Sequence, residues 1–184
     1  MYFNLKKLNI LFITLLILMN FICFYNYDYV KAKEINWNQF KLKTRNKLKN
    51  NPNDIMLNFK LAVVSANLGE IKKAYEIMDS LGENVTREKF KQEVQKYIEN
   101  MKINNSNDRV MLWNYTAFGA VIQKNYKKAV LYFKKIKKEK PENIWIRNFI
   151  AASYYELENL KKAEKIANNT LTIRDNGFSH LILG

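Results

Sequence analysis

Histidine and cysteine are almost missing from this chain: one of each in 184 residues, His180 and Cys23. No internal disulfide can form, no Cys/His metal site can be assembled, and most nucleophilic catalysis has nothing to work with. Proline occurs only at Pro52 and Pro141 and glycine at five positions, which leaves long stretches free to be helical. Acids are scarce too, with 17 Asp and Glu against 31 Lys and Arg, a formal charge of +14. No acid pair, Gly-rich phosphate loop or Ser/His/Asp set stands at a meaningful spacing. The reading is therefore not an enzyme, with no catalytic residue, no cofactor and no metal ligand.

What is present is an ample supply of core-forming side chains, 48% of the sequence, in a length normal for one domain. Arginine is restricted to Arg45, Arg87, Arg109, Arg147 and Arg174. The abundance of Lys, Asn, Ile, Tyr and Phe is also what an AT-rich coding sequence imposes, so basicity alone assigns no partner.

The first 32 residues have the layout of a signal peptide or signal anchor. Lys6 and Lys7 precede an apolar run from Ile10 to Phe24, and a polar tail follows. Val30-Lys31-Ala32 resembles a signal peptidase site, so cleavage after Ala32 gives an exported, extracytoplasmic protein. Left uncleaved, the apolar helix is a membrane anchor. Lys31, Lys33, Lys41, Lys43 and Arg45 after it outnumber the two lysines before it, which for an anchor favours a cytoplasm-facing body. A basic capping helix is expected over 33–51, with Trp37, Phe40, Thr44 and Leu48 on one stripe and Pro52 closing it.

Three short stretches organise the rest: Ile71-Lys72-Lys73-Ala74, Tyr126-Lys127-Lys128-Ala129 and Leu160-Lys161-Lys162-Ala163. The last two alanines are 34 residues apart, and the first two are 55 apart, one such period plus an insertion of 21. Twelve residues before each sits another alanine, Ala62, Ala117 and Ala151, and each proline lies 22 before one of the first series. Small side chains at that spacing let two antiparallel helices approach closely. Leu57, Leu61, Val64 and Leu68 form one apolar helical stripe, and Ile146, Ile150, Tyr154 and Leu157 another.

On these residues, with Trp113, Phe133 and Tyr154 at aromatic positions, residues 52–175 resemble the tetratricopeptide repeat (TPR) family. The pattern departs at Lys124 and Glu158, where the family often has a turn glycine that only Gly69 keeps; Asn125 and Asn159 are read as supplying the turn instead. The resemblance implies an all-α, short right-handed solenoid over 52–184. Its repeats fall at about 52–82, 107–141 and 142–175, an extra helix is inserted at about 86–102, and a stub spans 176–184. That helix either lies in the groove or fills a gap between repeats. Asn107 or Asp108 is placed to cap the helix after it.

The resemblance further implies a protein–protein interaction scaffold whose concave groove takes a peptide or helix. By repeat phase the groove presents Phe59, Asn67, Asn114, Phe118, Trp145, Asn148 and Tyr155, with Met56, Val63, Val121 and Ala152 between them. Such an apolar, aromatic lining with amides suits an amphipathic segment. An alternative rests on charge. Residues 101–140 carry ten Lys and Arg against two acids, and Lys134, Lys135, Lys137 and Lys138 are placed to bind an anionic cell-wall polymer or membrane surface. Nucleic acid is disfavoured, because arginine is scarce and no reading helix is evident. The function read here is a scaffold or adaptor in a bacterial cell envelope assembly. If the leader is a signal peptide, N-terminal sequencing of the protein from its native host will begin at Lys33; a chain that keeps Met1 makes it an anchor.

Overall fold

The computed structural model describes residues 35–103 and 108–184; the leader, 1–32, and most of the Asn-rich loop lie outside the described residues. Helix α1 spans Trp37–Asn50, α2 Ile55–Asn67 and α3 Ile71–Asn84. Helix α4 runs as Arg87–Phe90, a π-helical turn Lys91–Gln95 and Lys96–Ile103. Then come α5 (Arg109–Ile122), α6 (Tyr126–Glu139), α7 (Ile144–Tyr155), α8 (Leu160–Leu171) and α9 (Gly177–Leu183). Among the described residues there is no strand, and no helix is long and apolar enough to cross a membrane. The described residues form an all-α structure.

Local chemistry sets where the helices start. Asp54, Asp108 and Asn143 open α2, α5 and α7, and each side-chain oxygen accepts a backbone N–H of the first turn. These orphan donors have no partner inside the helix, so an Asx acceptor there is worth about 1 kcal/mol. Of the two residues proposed to cap α5, Asp108 does it, at 2.9 Å from the Met111 amide.

The three pairs α2–α3, α5–α6 and α7–α8 are closed by the same turn. The left-handed residue is Gly69 (φ 80°) in the first, Lys124 (φ 55°) in the second and Glu158 (φ 57°) in the third. The next residue returns its amide to a carbonyl five residues back: Glu70 to Ser65, Asn125 to Ala120 and Asn159 to Tyr154, each at 2.8–2.9 Å. This is the Schellman closure, which satisfies helix C-terminal carbonyls. It also corrects the expectation that Asn125 and Asn159 take the left-handed conformation. Both sit at negative φ and cap α6 and α8 instead, because an amide oxygen one residue later reaches the unpaired amides of the following helix.

Ala62, Ala74, Ala117, Ala129, Ala151 and Ala163 are all buried, at most 1% exposed, within helix pairs that pack against each other. Helix α1 packs on α2 and buries Thr44, with Trp37 and Phe40 half-buried against the core. Its Lys41 pairs with Glu70 in the α2–α3 turn. Helix α4 fits between the first two pairs. Phe90 meets Phe59 edge-on at 5.7 Å and Tyr97 meets Tyr115 at 5.8 Å, while Val94 and Ile98 approach Gly119.

Only the first turn needs glycine for space as well as for φ. A Cβ on Gly69 would lie 2.4 Å from the Trp145 ring. Gly69→Ala should therefore destabilise well beyond the left-handed penalty of about 1 kcal/mol, whereas Lys124→Gly and Glu158→Gly should each stabilise by about 0.5–1 kcal/mol. Urea titration of the three variants checks this, and a destabilised Glu158→Gly would contradict it.

Candidate functional site

The structure brings most of the expected groove residues together, but as core. Phe59, Asn114, Phe118 and Asn148 are fully inaccessible and Asn67 is buried. Phe118 stands edge-on to Phe133 at 4.9 Å and to Phe149 at 4.8 Å, and Phe149 also meets Tyr75 and Phe178 at 5.8 and 5.4 Å. The open groove over these residues is thus corrected. Phe59 is covered by Phe90 of α4, and the rest of the face because the first pair reaches the third and α9 packs on α7. Tyr155 lies at the other extreme, 54% exposed. Trp145 is half-buried against Gly69.

The amides expected to meet a ligand meet each other. Asn143 Nδ2 donates to Asn67 Oδ1 (3.1 Å), Asn67 Nδ2 donates to Asn114 Oδ1 (2.8 Å), and Asn114 Nδ2 donates to the Val110 carbonyl (2.9 Å). This relay joins the start of α7 to α2 and α5. A second set holds α9: Asn148 Nδ2 donates to Asn176 Oδ1, and Ser179 Oγ donates to Asn148 Oδ1, both at 2.7 Å. Buried amides are tolerated because each is matched.

Accessible concavity lies elsewhere, along α3. One cavity of about 290 Å³ is walled by Tyr75, Val121, Tyr126, Phe149 and Ala152, with Asp79, Glu83 and Glu156 at its mouth. A wider cleft of about 1290 Å³ is lined by Trp145, Phe178 and Leu181, with Arg45, Lys72 and Lys73 around it. Both are bordered by Tyr75 and Asp79, so they are neighbouring hollows along α3, together termed the trough. Burial pushes the Tyr75 phenol well above its usual range; burial and then the Glu156 carboxylate raise that of Tyr126. Both stay neutral at physiological pH. Of the expected groove, Trp145, Val121 and Ala152 border this trough. The residues missed were Tyr75 and the acids. Their signal was Asp79 and Glu83, four apart on the outer side of α3 in a chain poor in acids.

On α6, Lys134, Lys135 and Lys138 are exposed, but Lys137 is half-buried. Its ammonium is held below the ordinary lysine range by burial first, then by Arg147 and Lys134. Lys134 donates to the Tyr154 hydroxyl at 2.8 Å, and the Lys135 ammonium lies 4.8 Å from the Tyr132 ring centroid. Three of the four lysines thus form one outward face, and Lys137 turns partly inward. Among the described residues no group of acids, His or Cys is arranged to hold a metal ion.

No protein-family model matches this sequence, and neither does any curated protein or solved structure.

The core placement has a measurable consequence. Phe118→Ala should lower the unfolding free energy by about 3–5 kcal/mol, and Asn67→Ala by about 1–3 kcal/mol, since it strands Asn143 Nδ2 and Asn114 Oδ1. Tyr155→Ala should stay within about 0.5 kcal/mol. Chemical denaturation of the three separates core from surface.

Proposed function

We propose that this chain is a TPR-type helical scaffold that binds a protein partner in the trough along α3. The three turns carry the repeat reading. They have a left-handed residue at the same place, the same returning hydrogen bond and the same distance of five residues to a buried alanine. Helix pairs stacked this way leave concave surface between elements, and such surface binds segments rather than performing chemistry. The trough supplies aromatic and aliphatic walls with charged groups at the rim, a composition suited to a few strongly contributing anchors. With the signal-like first 32 residues, the setting is a bacterial cell envelope, the body being exported or held at a membrane.

A second reading assigns an anionic polymer or membrane surface to α6. Its support is the exposure of Lys134, Lys135 and Lys138 on one side of that helix. Attraction of this kind weakens with salt, because exposed charges are screened within about 8 Å at physiological ionic strength.

One experiment addresses both. The full chain in detergent, immobilised and exposed to solubilised envelope, should retain a discrete protein. Ala152→Arg should lose it while circular dichroism stays unchanged, and Lys134→Glu/Lys138→Glu should keep it. Sedimentation with anionic vesicles should follow the opposite pattern if α6 binds lipid. Retention unaffected by Ala152→Arg would overturn the trough as the binding surface.

A further inference from the structure

Leu131 is an aliphatic side chain that the core does not use. It is 54% exposed on α6, whereas Ala129, Val130, Phe133 and Ile136 of the same helix are buried. Residues three and four away on a helix are its neighbours at the surface. For Leu131 these four positions are Lys127, Lys128, Lys134 and Lys135, and all four are exposed. The leucine is thus set in a frame of ammonium groups. Among the described residues none of the four lysines forms an ion pair, and Glu139, the one acid of α6, faces Arg109 at 3.5 Å instead. Two half-buried rings join the frame to the helices beside it. Tyr154 of α7 has the Lys134 ammonium 5.3 Å and the Lys162 ammonium 5.4 Å from its ring centroid. Trp113 of α5 lies 5.9 Å from both the Lys135 ammonium and the Arg109 guanidinium. Helices α5 to α8 therefore each contribute a cation or a ring to one band.

From this we infer that the band docks on an anionic lipid bilayer, with the lysines meeting headgroup phosphates and Leu131 entering between the headgroups. The inference rests on α6 being an anion-binding face, and it names the anion source. Charge alone does not choose between a bilayer and a dissolved polyanion, because lysines attract both. Leu131 makes the choice. A polyanion is hydrated along its whole length and offers a leucine nothing, whereas a bilayer holds acyl carbon just beneath its phosphates. Lysine stems are long enough to keep their charges at phosphate level while the leucine goes deeper. Tyrosine and tryptophan, each with an apolar body and a polar tip, favour that same boundary. The lysines also repel one another along the helix, Lys134 and Lys138 being one turn apart. A surface of mobile anionic headgroups relieves that repulsion without having to match a fixed pattern of charges.

The test holds the full chain in phosphatidylcholine nanodiscs, so that its apolar first segment is already accommodated. It then measures co-sedimentation with vesicles of phosphatidylglycerol and phosphatidylcholine, and separately the binding of polyphosphate. The anionic vesicles should be bound and pure phosphatidylcholine vesicles should not. Lys134→Glu/Lys138→Glu should weaken vesicle binding at least about tenfold. Leu131→Ala should weaken it about fivefold or more, since each CH2 taken into a bilayer multiplies affinity about fourfold. The same Leu131→Ala should leave polyphosphate binding unchanged, which a general loss of structure would not do. Leu131→Trp should still bind, and brominated acyl chains in the anionic vesicles should quench its added emission. If Leu131→Ala binds vesicles as the parent does while the lysine reversal loses both ligands, α6 is an anion-binding face for polyanions at large and the bilayer inference is overturned. If the lysine reversal alters neither ligand, both the inference and the reading of α6 beneath it fall.

Discussion

The arrangement of this protein depends on a chain of amides that runs from a part-buried helix cap into the core. Asn143, Asn67 and Asn114 pass a hydrogen bond from the α7 cap through α2 to α5. An unmatched amide in such a place is expensive, so the three helices can meet only in the one register that matches all of them. Apolar packing is more forgiving: Phe118, Phe133 and Phe149 would gain from many arrangements of neighbouring helices. The amides choose among those arrangements, and the aromatic cluster supplies most of the driving force. This division is the usual one between specificity and stability in a core that contains polar groups.

Much of the fold was legible in the sequence because its signals are local. The alanine spacing and the two prolines placed the helix pairs, and the 21-residue excess located the inserted helix, within a few residues. The turns were half legible. Lys124 and Glu158 interrupt a glycine pattern, and the asparagines beside them are the residues best suited to left-handed backbone. Two demands competed for those asparagines, however, and capping the next helix prevailed.

The site was legible only in part, for a different reason. Repeat phase says which face of a helix points inward, not how far the stack curls. Curvature here is set by contacts between residues 76 apart in sequence, such as Asn67 with Asn143 and Gly69 with Trp145. No local pattern announces them. Phe59, Phe118, Asn114 and Asn148 were read as lining an open groove, and the space over them is filled. The accessible trough shifted to the wall formed by α3, where the even mixture of Lys, Tyr and acids gave no single motif to notice.

The contact of Trp145 with the backbone of Gly69 also bears on how the three helix pairs unfold. In an open stack each unit touches only its neighbours, stability is close to a sum of nearest-neighbour terms, and units can be added, lost or melted piecemeal. Here the first pair touches the third directly, so a ring of contacts is closed through the second. Fraying from either end then breaks contacts at both, which couples the ends and favours one cooperative transition over stepwise melting. The same closure removes the freedom to lengthen. A further helix pair placed between the second and third would carry Trp145 away from its seat on Gly69, so this set of pairs has a fixed size.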